Sequence, residues 1–334
     1  MVQLNNKFLI ICLLFSVKLF SQQLPLNSQY IYNPMVINPS FCGISESSSI
    51  ILMNRSQWKG FTEDEISTTS LSADYLLNKE QHGLGSMVYS DRTGAICLNG
   101  LDLMYSFKFP VFLDYNLSLG VSANFYQYIF DENMFETASY DPIISGEKHK
   151  KINFDSNFGF LLYDDFLFFG GSVLNMVQSD VLDSQGNISV PNQLVRNYYI
   201  FGGYSIFNDE SKIGFEQSFL LKKTTFTDFQ YDINVKTIFN DIFWLGAGYR
   251  NNNEIVGLFG FKYNRFSIIY SLDYNYGDIG FYSGPSHQFS LIFYLKKDAN
   301  KDWKSNKMLI QSYKIKYLAF ASISSLAKSF FKYL

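Results

Sequence analysis

Leu117-Ser118-Leu119-Gly120-Val121-Ser122-Ala123-Asn124-Phe125 decides the fold of this 334-residue chain. Its period is two: Leu117, Leu119, Val121, Ala123 and Phe125 share one face of an extended strand, and Ser118, Gly120, Ser122 and Asn124 share the other. One face is large and apolar, the other small and polar. The same alternation recurs in Leu71, Ala73 and Tyr75 against Ser70, Ser72 and Asp74, and in Tyr231, Ile233 and Val235 against Asp232, Asn234 and Lys236. It returns in Phe266, Ile268, Tyr270, Leu272 and Tyr274 against Ser267, Ser271 and Asp273. Aromatic residues turned to lipid and small polar residues turned to a lumen produce this texture in a membrane barrel.

Working outward, fourteen such segments fall near 47–57, 68–77, 83–91, 95–107, 115–127, 153–163, 166–175, 194–206, 211–222, 229–239, 242–250, 254–263, 266–275 and 287–295. The number is even, and most lengths are near the roughly 9–11 residues of a tilted spanning strand. The fold read from the residues is therefore all-β, a transmembrane antiparallel β-barrel of about 14 strands. Connections after even-numbered segments are mostly tight, as at Asp164-Asp165, Asn240-Asp241 and Asn264-Arg265, whereas residues 128–152, 176–193 and 276–286 form long connections after odd ones. Short turns on one rim and long loops on the other match an outer-membrane barrel with its short rim in the periplasm.

Composition agrees. Apolar residues make up 47% of the chain and aromatics 18%, with 34 Phe and 24 Tyr, too hydrophobic for a disordered chain. No window outside the N-terminal run holds the roughly 20 apolar residues of a spanning helix. Residues 22–295 carry 16 basic and 28 acidic side chains, which argues against nucleic acid as a partner.

Four regions follow. Residues 1–21 read as a secretory signal peptide: Lys7, then an apolar run from Phe8 to Phe20, then Ser21 as the cleavage position. Residues 22–45 form a stiff segment near the periplasmic mouth, because Asn33-Pro34 and Asn38-Pro39 restrict two dipeptides five residues apart. Residues 46–295 form the barrel. Residues 296–334 form a basic tail, with nine Lys against Asp298 and Asp302, read as an amphipathic interfacial helix or a disordered extension.

The segment from Gln22 to Pro25, then Gln29-Tyr30-Ile31-Tyr32-Asn33-Pro34, then Ile37-Asn38-Pro39-Ser40-Phe41-Cys42-Gly43, resembles the opening of the PorP/SprF family of type IX secretion system outer-membrane proteins. Asn54-Arg55-Ser56-Gln57-Trp58-Lys59-Gly60-Phe61 is a second match, and Gly83-Leu84-Gly85 followed by Asp91-Arg92-Thr93-Gly94 a third. Ser40 to Gly43 replaces the family's usual Ala-Tyr-Ala-Gly, and the tail from Lys296 is extra. The resemblance implies a barrel of the Bacteroidota outer membrane that works with type IX translocon components. It also implies a role in holding a secreted surface protein such as an adhesin, through that protein's C-terminal domain, with a link to gliding motility in some members.

Candidate partner-binding residues are Tyr30, Asn33, Pro34, Asn38 and Pro39 in the stiff segment, Arg55, Trp58 and Phe61 after the first strand, and Phe135, Tyr140 and Asp141 in a long loop. Arg55 and Lys59 beside Trp58 also read as an ordinary interfacial girdle, with outer-membrane lipid as the neighbour. The small lumen-side residues, Gly246, Gly248 and Gly257 among them, leave space for an inserted segment as a second site. Catalysis has little standing: His82, His149 and His287 are isolated, and Ser286 and His287, as strand neighbours, point to opposite faces. Glu63-Asp64-Glu65 could hold Ca2+ or be a solvated tip. No residues call for a cofactor. Cys42 and Cys97 leave one disulfide open. The competing functional reading is a channel for a small solute.

Overall fold

The computed structural model describes residues 28–295 except 46, 61–65, 78–80, 113–114, 135–146, 180–193, 209–210 and 226. The expected signal peptide and basic tail lie outside them, as do Phe61, Phe135, Tyr140, Asp141 and the Glu63-Asp64-Glu65 tip.

Fourteen antiparallel strands close into one barrel, each paired with its sequence neighbours and β1 (Ser49–Gln57) paired with β14 (Ser286–Tyr294). Between them run β2 (Ile66–Leu76), β3 (His82–Thr93), β4 (Ile96–Phe112), β5 (Tyr115–Asp131), β6 (Lys148–Tyr163) and β7 (Leu167–Leu174). The remainder are β8 (Asn197–Asn208), β9 (Ile213–Thr224), β10 (Gln230–Phe239), β11 (Phe243–Arg250), β12 (Glu254–Tyr263) and β13 (Phe266–Asn275). Closure satisfies every ladder without an edge, which lipid demands. No helix among the described residues is long and apolar enough to cross a membrane.

The parity of β5 sets the orientation. Val121 is 50% and Phe125 44% exposed on the outer wall, whereas Ser118, Ser122 and Asn124 are buried inside. The pairing register carries this alternation around the barrel, so Leu101, Leu103 and Tyr105 of β4 share the outer face with it.

Tight turns form the short rim. Asn240 and Asp241 both sit at positive φ, 52° and 55°, the geometry whose twist matches a two-residue hairpin. Asn264 has φ 52° between β12 and β13. The long rim also holds short connections, among them the Gly94-Ala95 turn after β3, where Gly94 takes φ 55°, and residues 251–253 after β11, where Asn253 takes φ 62°. Asp91, Arg92 and Thr93, whose composition also suits a tight turn, belong to β3. The long connection placed at 128–152 shrinks to 132–147, because β5 runs on to Asp131 and β6 begins at Lys148. Charged and polar residues there hid the strand period.

Two readings of the lumen change. Gly257 faces outward with Ile255 and Phe259, one register step from the inner Val256 and Leu258. The inner wall is also partly apolar: Leu161, Phe201, Leu220, Ile238, Trp244 and Ile269 pack with Tyr30, Ile31, Tyr32 and Ile37 of the N-terminal segment. A segment with apolar side chains requires an apolar wall opposite it.

Val121→Arg should lower the stability of the barrel in lipid vesicles by about 2–4 kcal/mol, and Gln127→Arg, nearer the rim on the same face, by about 0–1 kcal/mol. Urea titration of vesicle-folded protein measures both.

Candidate functional site

Residues 28–45 go further than the mouth of the barrel: they enter the lumen and pack against its inner wall. Two short 3-10 helices, Pro34–Val36 and Pro39–Phe41, shape the segment, each with proline at its first position, where a missing N–H costs nothing. Asn38 caps the second, its Oδ1 accepting from the Ser40 N–H at 2.8 Å.

The segment binds the wall on nearly every side. Toward the long-loop rim, Ser28 donates to Asp273 Oδ2 at 2.5 Å, and Gln29 Nε2 donates to the Gln288 carbonyl at 3.0 Å. At mid-depth, Asn234 Nδ2 donates to the Tyr30 hydroxyl at 2.7 Å, and Asn33 Nδ2 to Ser72 Oγ at 2.9 Å. Toward the short-turn rim, Asn38 Nδ2 reaches the Phe160 carbonyl at 3.0 Å, and Ser118 and Ser106 donate to the carbonyls of Ser40 and Cys42 at 2.7 and 2.6 Å. Asp74 accepts from the Gly43 N–H at 2.6 Å, while Lys108 donates to the Gly43 carbonyl. The small lumen-side residues thus serve as hydrogen-bond partners for a non-repetitive backbone, which could not be buried otherwise.

Glycine makes the close approach possible. A Cβ at Gly120 would lie 2.2 Å from Ser40 N, and one at Gly159 1.9 Å from Asn38 Oδ1. Both glycines stand where the second 3-10 helix presses against β5 and β6.

Arg55 is the ionic anchor. It shares the inner parity of Ile51 and Met53, so it points into the lumen rather than into an interfacial girdle with Trp58 and Lys59. Its Nη1 lies 2.6 Å from Asp273 Oδ2, both side chains nearly fully buried, and also donates to Ser28 Oγ at 3.1 Å and Gln288 Oε1 at 3.2 Å. Trp58 turns the chain out of β1 at φ 48°, its N–H donating to Ser286 Oγ at 3.2 Å.

Among the candidates, Tyr30, Asn33, Asn38 and Pro39 are buried against their own barrel, Pro34 is half-buried beside them, and Arg55 holds the segment in place. Nothing in the sequence sets Ser72, Ser106, Ser118, Gly120, Asp273 and Gln288 apart from other small or polar lumen residues; contact with the inserted segment or its anchor does.

Cys42 and Cys97 are free thiols. Cys42 is fully buried with its Sγ 3.5 Å from Met35 Sδ, and burial pushes its thiol well above the ordinary range. The histidines serve strand pairing and rim contacts: His149 meets Glu132 at 2.8 Å, and His287 faces outward to Tyr270 while Ser286 faces inward.

Arg55→Met should destabilise the barrel by about 3–5 kcal/mol, because it strands Asp273 as a buried unpaired charge, and Arg55→Met with Asp273→Leu should recover most of that loss. Urea unfolding of the vesicle-folded variants measures it. Cys42 should resist alkylation until the barrel unfolds, and reduction should leave the mass of the alkylated protein unchanged.

No curated protein matches the chain. Among solved structures, the outer-membrane protein Omp33 of Acinetobacter baumannii is 8% identical, with 74% of this chain and 98% of that chain covered and a TM-score of 0.41. A FadL homologue of Pseudomonas aeruginosa is 10% identical over 81% and 93%, with a TM-score of 0.40. The Pseudomonas putida toluene transporter TodX is 7% identical over 81% and 94%, with a TM-score of 0.41. The family model for the type IX secretion system membrane protein PorP/SprF matches residues 19–293, which span the inserted segment and nearly the whole barrel: the chain belongs to that family of outer-membrane proteins.

Proposed function

We propose that this barrel is a closed, non-enzymatic scaffold of type IX secretion that helps to retain a secreted protein, such as an adhesin, at the cell surface. One observation carries the reading: the chain's own N-terminal segment occupies the lumen and is bonded to strands around the barrel, with Ser28–Asp273 at one end and Gly43–Asp74 at the other. A lumen filled in this way leaves the outer wall, the rims and the loops as the surfaces available to a macromolecule. Membership in a secretion family supports the same direction. The partners that fit are translocon components and the C-terminal domain of the secreted protein. A connection to gliding motility follows if the retained protein is a motility adhesin.

A channel for a small solute is the competing reading, and the filled lumen counts against it. Long loops on a rigid barrel are the usual seat of recognition, which supports a retained protein on the long-loop side.

Affinity purification from native membranes should recover translocon components or a secreted protein's C-terminal domain, and recovery of neither would sink the scaffold reading. In planar bilayers the intact barrel should be non-conducting. Deletion of residues 28–43 should open conductance, and solute-dependent current through the intact protein would favour the channel.

A further inference from the structure

The strands of this barrel are unequal. β5 and β6 run for 17 and 16 residues, and β7 beside them for only 8. A tilted strand crosses the bilayer in about 9–11 residues, a length that, counted from Tyr163 at the short-turn rim, ends between Asp155 and Asn153. Lys148 to Ile152 stand beyond the membrane, on the long-loop side.

β6 outgrows its neighbour on one flank only. It pairs with β5 from Tyr163 opposite Asn116 to Lys148 opposite Asp131, but with β7 only from Tyr163 to Phe158. The chain leaving β7 covers a few residues more. Asn175 N–H donates to Asn157 Oδ1 at 2.9 Å, Met176 N–H to the Ser156 carbonyl at 3.0 Å, and the Val177 and Gln178 N–H groups to the Asp155 carboxylate. Ser179 Oγ donates to the Phe154 carbonyl, and there these contacts stop.

The bonded carbonyls fix which backbone groups face this flank. Those of Phe154 and Ser156 point to it, whereas the Glu147 carbonyl accepts from Glu132 N–H on the β5 side at 3.1 Å. Even-numbered residues of β6 therefore turn N–H and C=O away from β5. Lys148, Lys150 and Ile152 do so above the last cover, and among the described residues no strand pairs with them there. Ile152 is 74% exposed. Lipid forbids such an edge, but beyond the membrane it is a template for another strand.

Side chains decide which strand fits. Lys148-His149-Lys150-Lys151-Ile152-Asn153 contains no carboxylate, and Lys148 meets Asp131 of β5 at 2.7 Å. Like charges side by side on neighbouring strands are destabilising, so the lysines deter a basic strand and a second copy of this edge. They favour an acidic one.

We propose that the upper edge of β6 receives an extended, acidic segment of an extracellular protein as an added strand. Main-chain hydrogen bonds to Lys148, Lys150 and Ile152 hold the segment, and its carboxylates meet the lysines. That the segment belongs to the retained secreted protein rests on the reading above; the edge and its charge do not.

The full-length barrel in lipid nanodiscs, labelled with 15N at Lys and Ile, is titrated with a synthetic eight-residue peptide alternating Val and Glu, and separately with its Val and Lys counterpart. Hydrogen exchange is followed by NMR. The Lys148, Lys150 and Ile152 amides should exchange fast in the free barrel and slow about tenfold with the acidic peptide, while Lys151, whose N–H faces β5, stays unchanged. The Val and Lys peptide should leave all of them fast. K148E/K150E should reverse the preference between peptides. I152P, which removes one edge N–H, should weaken the acidic peptide and keeps the test open if the double variant does not fold. Slow exchange at these amides in the free barrel overturns the proposal, because the edge is then already closed. No slowing by the acidic peptide, or equal slowing by both peptides, overturns it as well. Each of these results leaves the retention reading standing, whereas a native-membrane purification that recovers no secreted protein removes only the identity given to the segment.

Discussion

Every backbone N–H and C=O that crosses a bilayer needs a partner within the protein, and this requirement governs the whole molecule. It forbids an open sheet edge, so β1 must find β14, and the barrel is a consequence of closure as much as of strand propensity. Closure in turn encloses an interior that fourteen strands leave wide enough for a further segment. The interior is occupied by residues 28–45, whose irregular backbone is tolerated at membrane depth because the protein itself surrounds it.

The inserted segment and the inner wall are therefore one design. Serines on β2, β4, β5 and β7 donate to it or accept from it, glycines on β5 and β6 leave room for it, and Trp244 and Phe201 pack on its aromatic residues. Tyr32 lies 5.8 Å from Trp244 and Phe41 5.3 Å from Phe201, centroid to centroid. The inserted segment explains why small residues line this part of the inner wall. Charge is balanced inside the lumen as well, Asp273 by Arg55, Glu216 by Lys236, and Asp232 and Glu254 by Arg250.

Much of this was legible in the residues. The period-two pattern of Leu117 to Phe125 specifies which face meets lipid, since a strand's side chains alternate whatever surrounds it. Strand number and rim asymmetry follow from turn residues such as Asn240-Asp241, which demand positive φ. The Asn33-Pro34 and Asn38-Pro39 dipeptides mark a stiff, non-strand segment. The sites of error are equally local. Arg55 beside Trp58 looks interfacial by adjacency, yet one residue of parity sends it into the lumen against Asp273, 218 positions away. Gly257 looks like lumen spacing for the same reason and faces outward.

The sequence by itself determined the strands, the outward-facing apolar surface, the division into short and long connections and the non-strand character of the N-terminal segment, because each depends on local sterics and on neighbours two or four positions apart. Only the tertiary structure decided that this segment lies within the lumen, which serines and glycines receive it, and which carboxylates gain a cation. Those outcomes depend on contacts between residues far apart in the chain, brought together when β1 closes on β14, and no local period encodes them.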